Sequence, residues 1–172
     1  MEPDKQIPSP YEWVGSITKF ETLTEVFYEK VLKDEILEPV FREMPPGHSK
    51  HVAHFMVETL MGPKVYSEEY GTGALKHMVG KHIGRKLTEK QRKRWVELLL
   101  ESADDVGLPN DPEFRSTFVA HIEWGSRVAL INSQLDENPS TENEHIPEWG
   151  WGEVKGPYEI VGSLFQQKKN EQ

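Results

Sequence analysis

The chain has no cysteine. That excludes a disulfide framework, a thiolate metal site and a thiol nucleophile. No window approaches the roughly 18 consecutive apolar residues that a membrane-spanning helix needs. The opening residues, MEPDKQIPSP, have neither a basic start nor an apolar core, so no secretory leader is expected and a cytoplasmic location is the default. HExxH, P-loop, GxSxG and dinucleotide-binding signatures are all missing, which removes the enzyme classes most readily recognised by motif. Basic charge is outweighed by acidic charge overall. Lys and Arg total 20 against 29 Asp and Glu, a net charge of −9, which argues against nucleic acid as a partner.

What is present fits one domain of ordinary size with polar ends. Residues 1–9 read as an N-terminal extension, 10–134 as the domain, and 135–172 as a polar tail containing Pro139, Pro147 and Pro157. The PEWGWGEVKGPY stretch of the tail carries two tryptophans, which makes it a candidate to pack back on the domain. The domain reads as six helical segments with almost no strand signal. A short helix over 10–19 precedes one from Phe20 to Lys33, whose Phe20, Leu23, Phe27 and Val31 recur at helical spacing. EILEPVF is a short turn, and MPPG forces a change of direction. From Ser49 to Met61, Val52, Phe55, Met56 and Leu60 share a face, and Gly62-Pro63 ends the helix. Thr88 and Gln91 form a capping box for a long helix with Trp95, Leu98, Leu99 and Ala103. Asp111 can cap the last helix, with Pro112 at its first position and Phe114, Phe118, Ile122 and Val128 as its buried stripe.

Candidate chemistry rests mainly on histidine, of which there are seven. His48, His51 and His54 recur every three residues, a spacing that can offer two metal ligands from one helix face. Nothing in the sequence supplies the remaining ligands, so solvent-exposed histidines are the simpler reading. His82 stands apart. Leu75, Met78, Val79 and His82 fall at i, i+3, i+4 and i+7, which puts an imidazole on the apolar face of a short, glycine-flanked helix. A satisfied core histidine is the ordinary explanation of such a residue. The alternative is an axial ligand to a haem iron, which needs a neutral imidazole, a flat apolar slot and cations near the propionates. Lys81 and Arg85 flank His82 and could be those cations. Around them Lys76, Lys86, Lys90, Arg92, Lys93 and Arg94 form a basic strip opposed only by Glu89, read as a solvated helix face or as an anion-binding rim.

Several further elements occur in a consistent order: Phe27-Tyr28, Pro39-Val40-Phe41, Gly62-Pro63-x-x-Tyr66-Ser67-Glu68, then His82 followed thirteen residues later by Trp95. Together they resemble a group II truncated haemoglobin over about residues 10–134. The resemblance implies an all-α, two-over-two helical sandwich around haem b. It implies His82 as proximal iron ligand, Tyr28 and Trp95 as distal hydrogen-bond donors, and Phe41, Val52, Phe55, Met56 and Met78 as haem-pocket residues. His48 falls near the distal gate, either reaching the ligand or pointing to solvent, and His77 is a weaker competitor for the iron because it lies off the Leu75-Met78-His82 stripe. The family's paired glycines at two helix junctions are single here, Gly15 and Gly62, and about three extra residues separate Tyr66 from His82.

The resemblance further implies binding of O2, NO or CO, with NO dioxygenation or a peroxidase-like oxidation as turnover. Donors such as Tyr28 and Trp95 slow oxygen release, which suits sensing, scavenging or redox chemistry better than oxygen transport in bulk. Turnover would draw electrons from a separate reductase, and a homodimer is the candidate assembly. Two other classes compete. One is a helical non-haem metal enzyme using His48, His51, His54 and His121. The other is a non-catalytic helical module whose basic strip docks an acidic partner.

Overall fold

In the computed structural model, which describes residues 6–162, the first helix is set by a reciprocal pair of hydrogen bonds. Ser9 Oγ accepts from the Glu12 amide and the Glu12 carboxylate accepts from the Ser9 amide, which starts α1 (Pro10–Val14). Gly15, at φ +113°, ends it in a conformation few residues other than glycine adopt. Ser16 then caps α2 (Ile17–Val31). The helix expected over 10–19 is therefore two, because a left-handed residue and a new cap fall inside it.

Short α3 (Glu38–Phe41) starts with Pro39 in its first turn, and α4 (His48–Thr59) follows the MPPG turn. Then come α5 (Val65–Tyr70) and α6 (Ala74–Gly80). The capping box of Thr88 and Gln91 opens α7 (Glu89–Asp105), and Asp111 caps α8 (Pro112–Ser133), whose first residue is proline. A 3-10 turn (Gly152–Val154) and α9 (Tyr158–Val161) lie in the tail. No strand occurs among the described residues.

α2 packs on α4 and on α7, and α7 packs on α8, so the pair α2 and α4 lies over the pair α7 and α8. The stripe Phe20, Leu23, Phe27 and Val31 is fully buried between them and meets Leu98, Leu99, Phe114 and Phe118. Each such side chain contributes about 1.5–3 kcal/mol of transfer free energy. The junction after α4 depends on close backbone approach. The Gly62 amide donates to the Val57 carbonyl at 2.8 Å. A Cβ on Gly62 would lie 2.7 Å from that carbonyl oxygen and 2.7 Å from the Tyr11 ring. The two junction glycines noted in the sequence thus serve different needs, a left-handed backbone at Gly15 and contact at Gly62.

The tail is mostly irregular, and part of it returns to the helices. The Trp149 amide donates to the Thr59 carbonyl at 2.7 Å, Thr117 Oγ1 to the Gly150 carbonyl at 3.1 Å, and the Trp151 indole to the Pro8 carbonyl at 2.7 Å. Upstream, Ile146 is buried against Tyr66 and Ala74. The two tryptophans explain this: both rings pack against the apolar core, and the Trp151 indole finds a backbone partner.

Candidate functional site

A cavity of about 840 Å³ opens between the two layers. Its walls come from α2, α3, α4, α6, α7 and α8 and the turn after α6, and they are mostly apolar. That volume is within the range of about 300–1,000 Å³ typical of small-molecule and cofactor clefts. The structure brings Tyr28, Phe41, His48, Val52, Phe55, Met56, Met78, Lys81, His82, Arg85 and Trp95 to this one cavity.

His82 does not sit on a helix as its spacing predicts. α6 ends at Gly80, and His82 lies in the following turn, with its amide donating to the Val79 carbonyl at 3.0 Å. Glycines on either side, Gly80 and left-handed Gly84, are poor helix residues and end the α6 pattern early. The turn is pinned to the end of α8: the Gly84 amide donates to the Leu135 carbonyl at 3.0 Å, and the Lys86 amide to the Ser133 carbonyl at 2.9 Å. Within the turn, His82 Nδ1 lies 3.1 Å from the Met78 carbonyl oxygen. A carbonyl only accepts, so Nδ1 carries the proton and Nε2 keeps its lone pair. Burial, the largest influence, holds the imidazole below its ordinary pKa, with Arg85 and Lys81 acting in the same direction and the Met78 carbonyl against them.

Tyr28 is buried, with its hydroxyl 3.0 Å from His48 Nε2. Its ring meets Phe27 and Phe41 edge-on, at 4.8 and 5.5 Å between centroids. Burial pushes the phenol well above its ordinary pKa, slightly opposed by the Trp95 indole, so it remains a hydrogen-bond donor at neutral pH. Trp95 packs edge-on against Phe27 at 5.4 Å. His48 falls to a pKa of about 4, first through burial and then through the electrostatic influence of its neighbours, led by Lys81. A neutral His48 paired with Tyr28 is turned inward, not out to solvent.

The three-residue histidine series diverges. His48 meets Tyr28, His51 meets Tyr70, and His54 meets Glu21 at 2.9 Å, so His51 and His54 are half-buried and bonded where exposure was expected. Among the described residues, no three His, Cys, Asp or Glu side chains come together as a metal site. His77 lies outside the cavity, stacked on Tyr70 at 4.0 Å. The basic strip also divides. Arg92 is buried, pairs with Glu89 of its own helix (2.7 Å), and ties α7 to α8 through Glu123 (3.2 Å) and Ser126 (3.2 Å). Arg94 pairs with Asp34 at 2.7 Å.

Several lining residues carried no sequence signal of their own. Gly125, Ser126 and Ala129 of α8 face the cavity, and small side chains leave room there that large apolar ones would fill. A search for bulky stripes passes over them, whereas Gly125, Ser126 and Ala129, at i+3, i+4 and i+7 from Ile122, form a stripe of small residues that could have marked them. His121 also lines the cavity, with Nε2 2.9 Å from Thr59 Oγ1 and Nδ1 unpaired.

Residues 9–123 match the bacterial-like globin family. A curated relative is the group 2 truncated haemoglobin YjbI of Bacillus subtilis (strain 168). It is 25% identical over 132 residues, spanning 77% of this chain and 96% of that one. The crystal structure of the group II truncated haemoglobin from Bacillus anthracis superposes with a TM-score of 0.64 at 25% identity, covering 73% of this chain and 93% of that one. The truncated oxygen-avid haemoglobin from Bacillus subtilis does so with a TM-score of 0.61 at 26% identity, covering 72% and 99%. With an all-helical two-over-two fold, and a family match over most of its length, this chain belongs to the bacterial-like globin family, among relatives that are group II truncated haemoglobins.

Proposed function

We propose that this globin holds haem b in the cavity through His82 and binds oxygen on the opposite, Tyr28-lined side. Globin membership supports haem binding, and the donor set fits it. The observation that carries the reading is the His82–Met78 hydrogen bond of 3.1 Å, which leaves a neutral Nε2 as the ligating atom on the wall of an apolar cavity. With no cysteine in the chain, the group is held without thioether bonds. When bound, the haem supplies an iron with one coordination position open to a diatomic ligand.

The chain's residues do the rest. Phe41, Val52, Phe55 and Met56 exclude water from the ligand side, while Lys81 and Arg85 sit at the cavity edge where propionates need cations. Tyr28 donates its phenolic hydrogen bond to a ligand that accumulates negative charge, and the Trp95 indole N–H is a second donor. His48 backs Tyr28: when its Nε2 donates to the phenol oxygen, the phenolic proton is free to face the ligand. The same donors accommodate NO and CO. A Bacillus subtilis relative is described as oxygen-avid, which agrees with strong retention. Retention suits NO dioxygenation or peroxidase-like oxidation fed by a separate reductase better than oxygen transport. The reading places the protein in the cytoplasm. No helix of the described residues is long and apolar enough to cross a membrane. It also includes a homodimer through the exposed Trp124, Ile131 and Leu135 of α8 and its end, to be tested by analytical ultracentrifugation.

The test is an absorption spectrum of the purified protein, loaded with haemin if pale, beside His82→Ala. A Soret band that shifts with carbon monoxide, and is lost or displaced in the variant, is expected. Absence of haem uptake by the wild type would end the haem reading.

A further inference from the structure

Behind the cavity wall, a ladder of rings runs outward from the cavity. Phe55, on the wall, meets Tyr66 edge-on at 5.3 Å between centroids, and Tyr66 meets Tyr70 at 4.6 Å. The two tyrosines differ in one respect that matters for electron loss. Tyr66 is fully buried and its hydroxyl has no hydrogen-bond partner. Tyr70 is half-buried, with its hydroxyl 3.1 Å from His51, whose Nε2 lies 3.3 Å from the Glu69 carboxylate. A phenol that loses an electron becomes a strong acid, and it survives as a neutral radical only if a base takes the proton. Tyr66 has no base, so it bridges and does not hold the charge. Tyr70 has an imidazole, itself oriented by a carboxylate. Lys81 Nζ stands 5.8 Å over the Tyr70 ring, which disfavours a cationic radical and makes loss of the phenolic proton a condition of oxidation.

From this arrangement we infer that Tyr70, with His51 as its proton acceptor, is a redox-active site that carries oxidising equivalents from the cavity to a small phenolic reductant at the surface. The inference rests on the haem reading above, with hydrogen peroxide as the oxidant. Tyr70 gives one electron inward through Tyr66 and Phe55; its O–H bond breaks and an N–H bond forms on His51. A phenol at the surface then gives a hydrogen atom to the Tyr70 oxygen and leaves as a phenoxyl radical. His51 releases its proton, which balances the oxygen reduced in the cavity. Two such turns convert one hydrogen peroxide and two phenols into two waters and two phenoxyl radicals. Tyr28 also has a histidine partner, but it is only 4% exposed, so a reductant does not reach it.

The test is freeze-quench electron paramagnetic resonance of haemin-loaded protein after one equivalent of hydrogen peroxide, with a nitroso spin trap and peptide mass spectrometry on parallel samples. The expected result is a tyrosyl signal and a trap adduct on Tyr70 in the wild type, with the signal lost in Tyr70→Phe. His51→Leu should slow its appearance on the order of 10²-fold, the usual worth of a positioned base. A Soret band that responds to peroxide, with the adduct on Tyr28 or Tyr66 or a signal unchanged in Tyr70→Phe, overturns this inference alone. No Soret band in the wild type overturns the haem reading and this inference with it.

Discussion

Tyr28→Phe removes one oxygen atom from the cavity and changes little else in shape. The ring keeps its edge contacts with Phe27 and Phe41, so the variant isolates the hydroxyl. A hydrogen bond to a charged acceptor contributes about 1.5–3 kcal/mol, and loss of that amount speeds oxygen release about 10- to 150-fold. His48 complicates the single variant, because its Nε2 loses a partner 3.0 Å away and becomes free to turn toward the ligand. Part of the loss is then recovered, and the observed change falls toward the lower end of that range. The combined Tyr28→Phe/His48→Leu variant removes the substitute donor and exposes the whole effect, and the cycle of single and double variants measures the coupling. The assay is stopped-flow displacement of oxygen from the reduced protein by carbon monoxide. Off-rates within twofold of wild type in both the single and the double variant would refute the assignment of Tyr28 as donor.

Other perturbations are equally direct. His82→Gly should take up haem poorly and regain a five-coordinate spectrum with added imidazole; uptake indistinguishable from wild type would dismiss His82 as the ligand. Gly62→Ala drives a methyl group to within 2.7 Å of the Val57 carbonyl, at a cost of about 1–3 kcal/mol, and its urea midpoint should fall accordingly. An unchanged midpoint would show that the α4 junction is free to relax. His121, pushed down to about 4 by burial, binds fewer protons in the folded than in the unfolded chain between that value and about 6.5. Its contribution is complete above the unfolded value and is lost as pH falls through that window, about 2 kcal/mol being gone at pH 5. The pH 5 to pH 7 difference in unfolding free energy should therefore shrink by about that amount in His121→Leu. Equal slopes in both proteins would mean that His121 does not titrate on unfolding.

Much of the helical layout was legible because it is local. Capping pairs such as Thr88 with Gln91, and Asp111 before Pro112, act within one turn and are recognisable as strings of letters. The α2 stripe was equally readable, since period and burial coincide there. The opening helix was misjudged where a single left-handed glycine outweighed apolar spacing. His82 stands out in the sequence as an imidazole at apolar spacing, but that spacing implies a helix that stops at Gly80, where glycine outweighs the periodicity. The basic strip is the clearest failure of one-dimensional charge reading. Arg92 and Arg94 are adjacent but one in sequence, yet one is buried between α7 and α8 and the other pairs with Asp34 on a distant segment.

By itself, the sequence determined the fold class, the order of the helices and the few residues with chemical potential, since helix propensity, capping and ring chemistry depend on near neighbours. The tertiary structure alone decided which of those residues meet. It separated His48, His51 and His54 onto three different partners, turned His48 toward Tyr28, and set Gly125 and Ala129 against the cavity. Those outcomes depend on how α2 and α4 lie across α7 and α8, a packing of segments far apart in the chain, as are those joined by the 2.9 Å bond that the Trp13 indole of α1 donates to Asp111 at the start of α8. No local pattern encodes such a distance, because it is the burial of whole faces that chooses it.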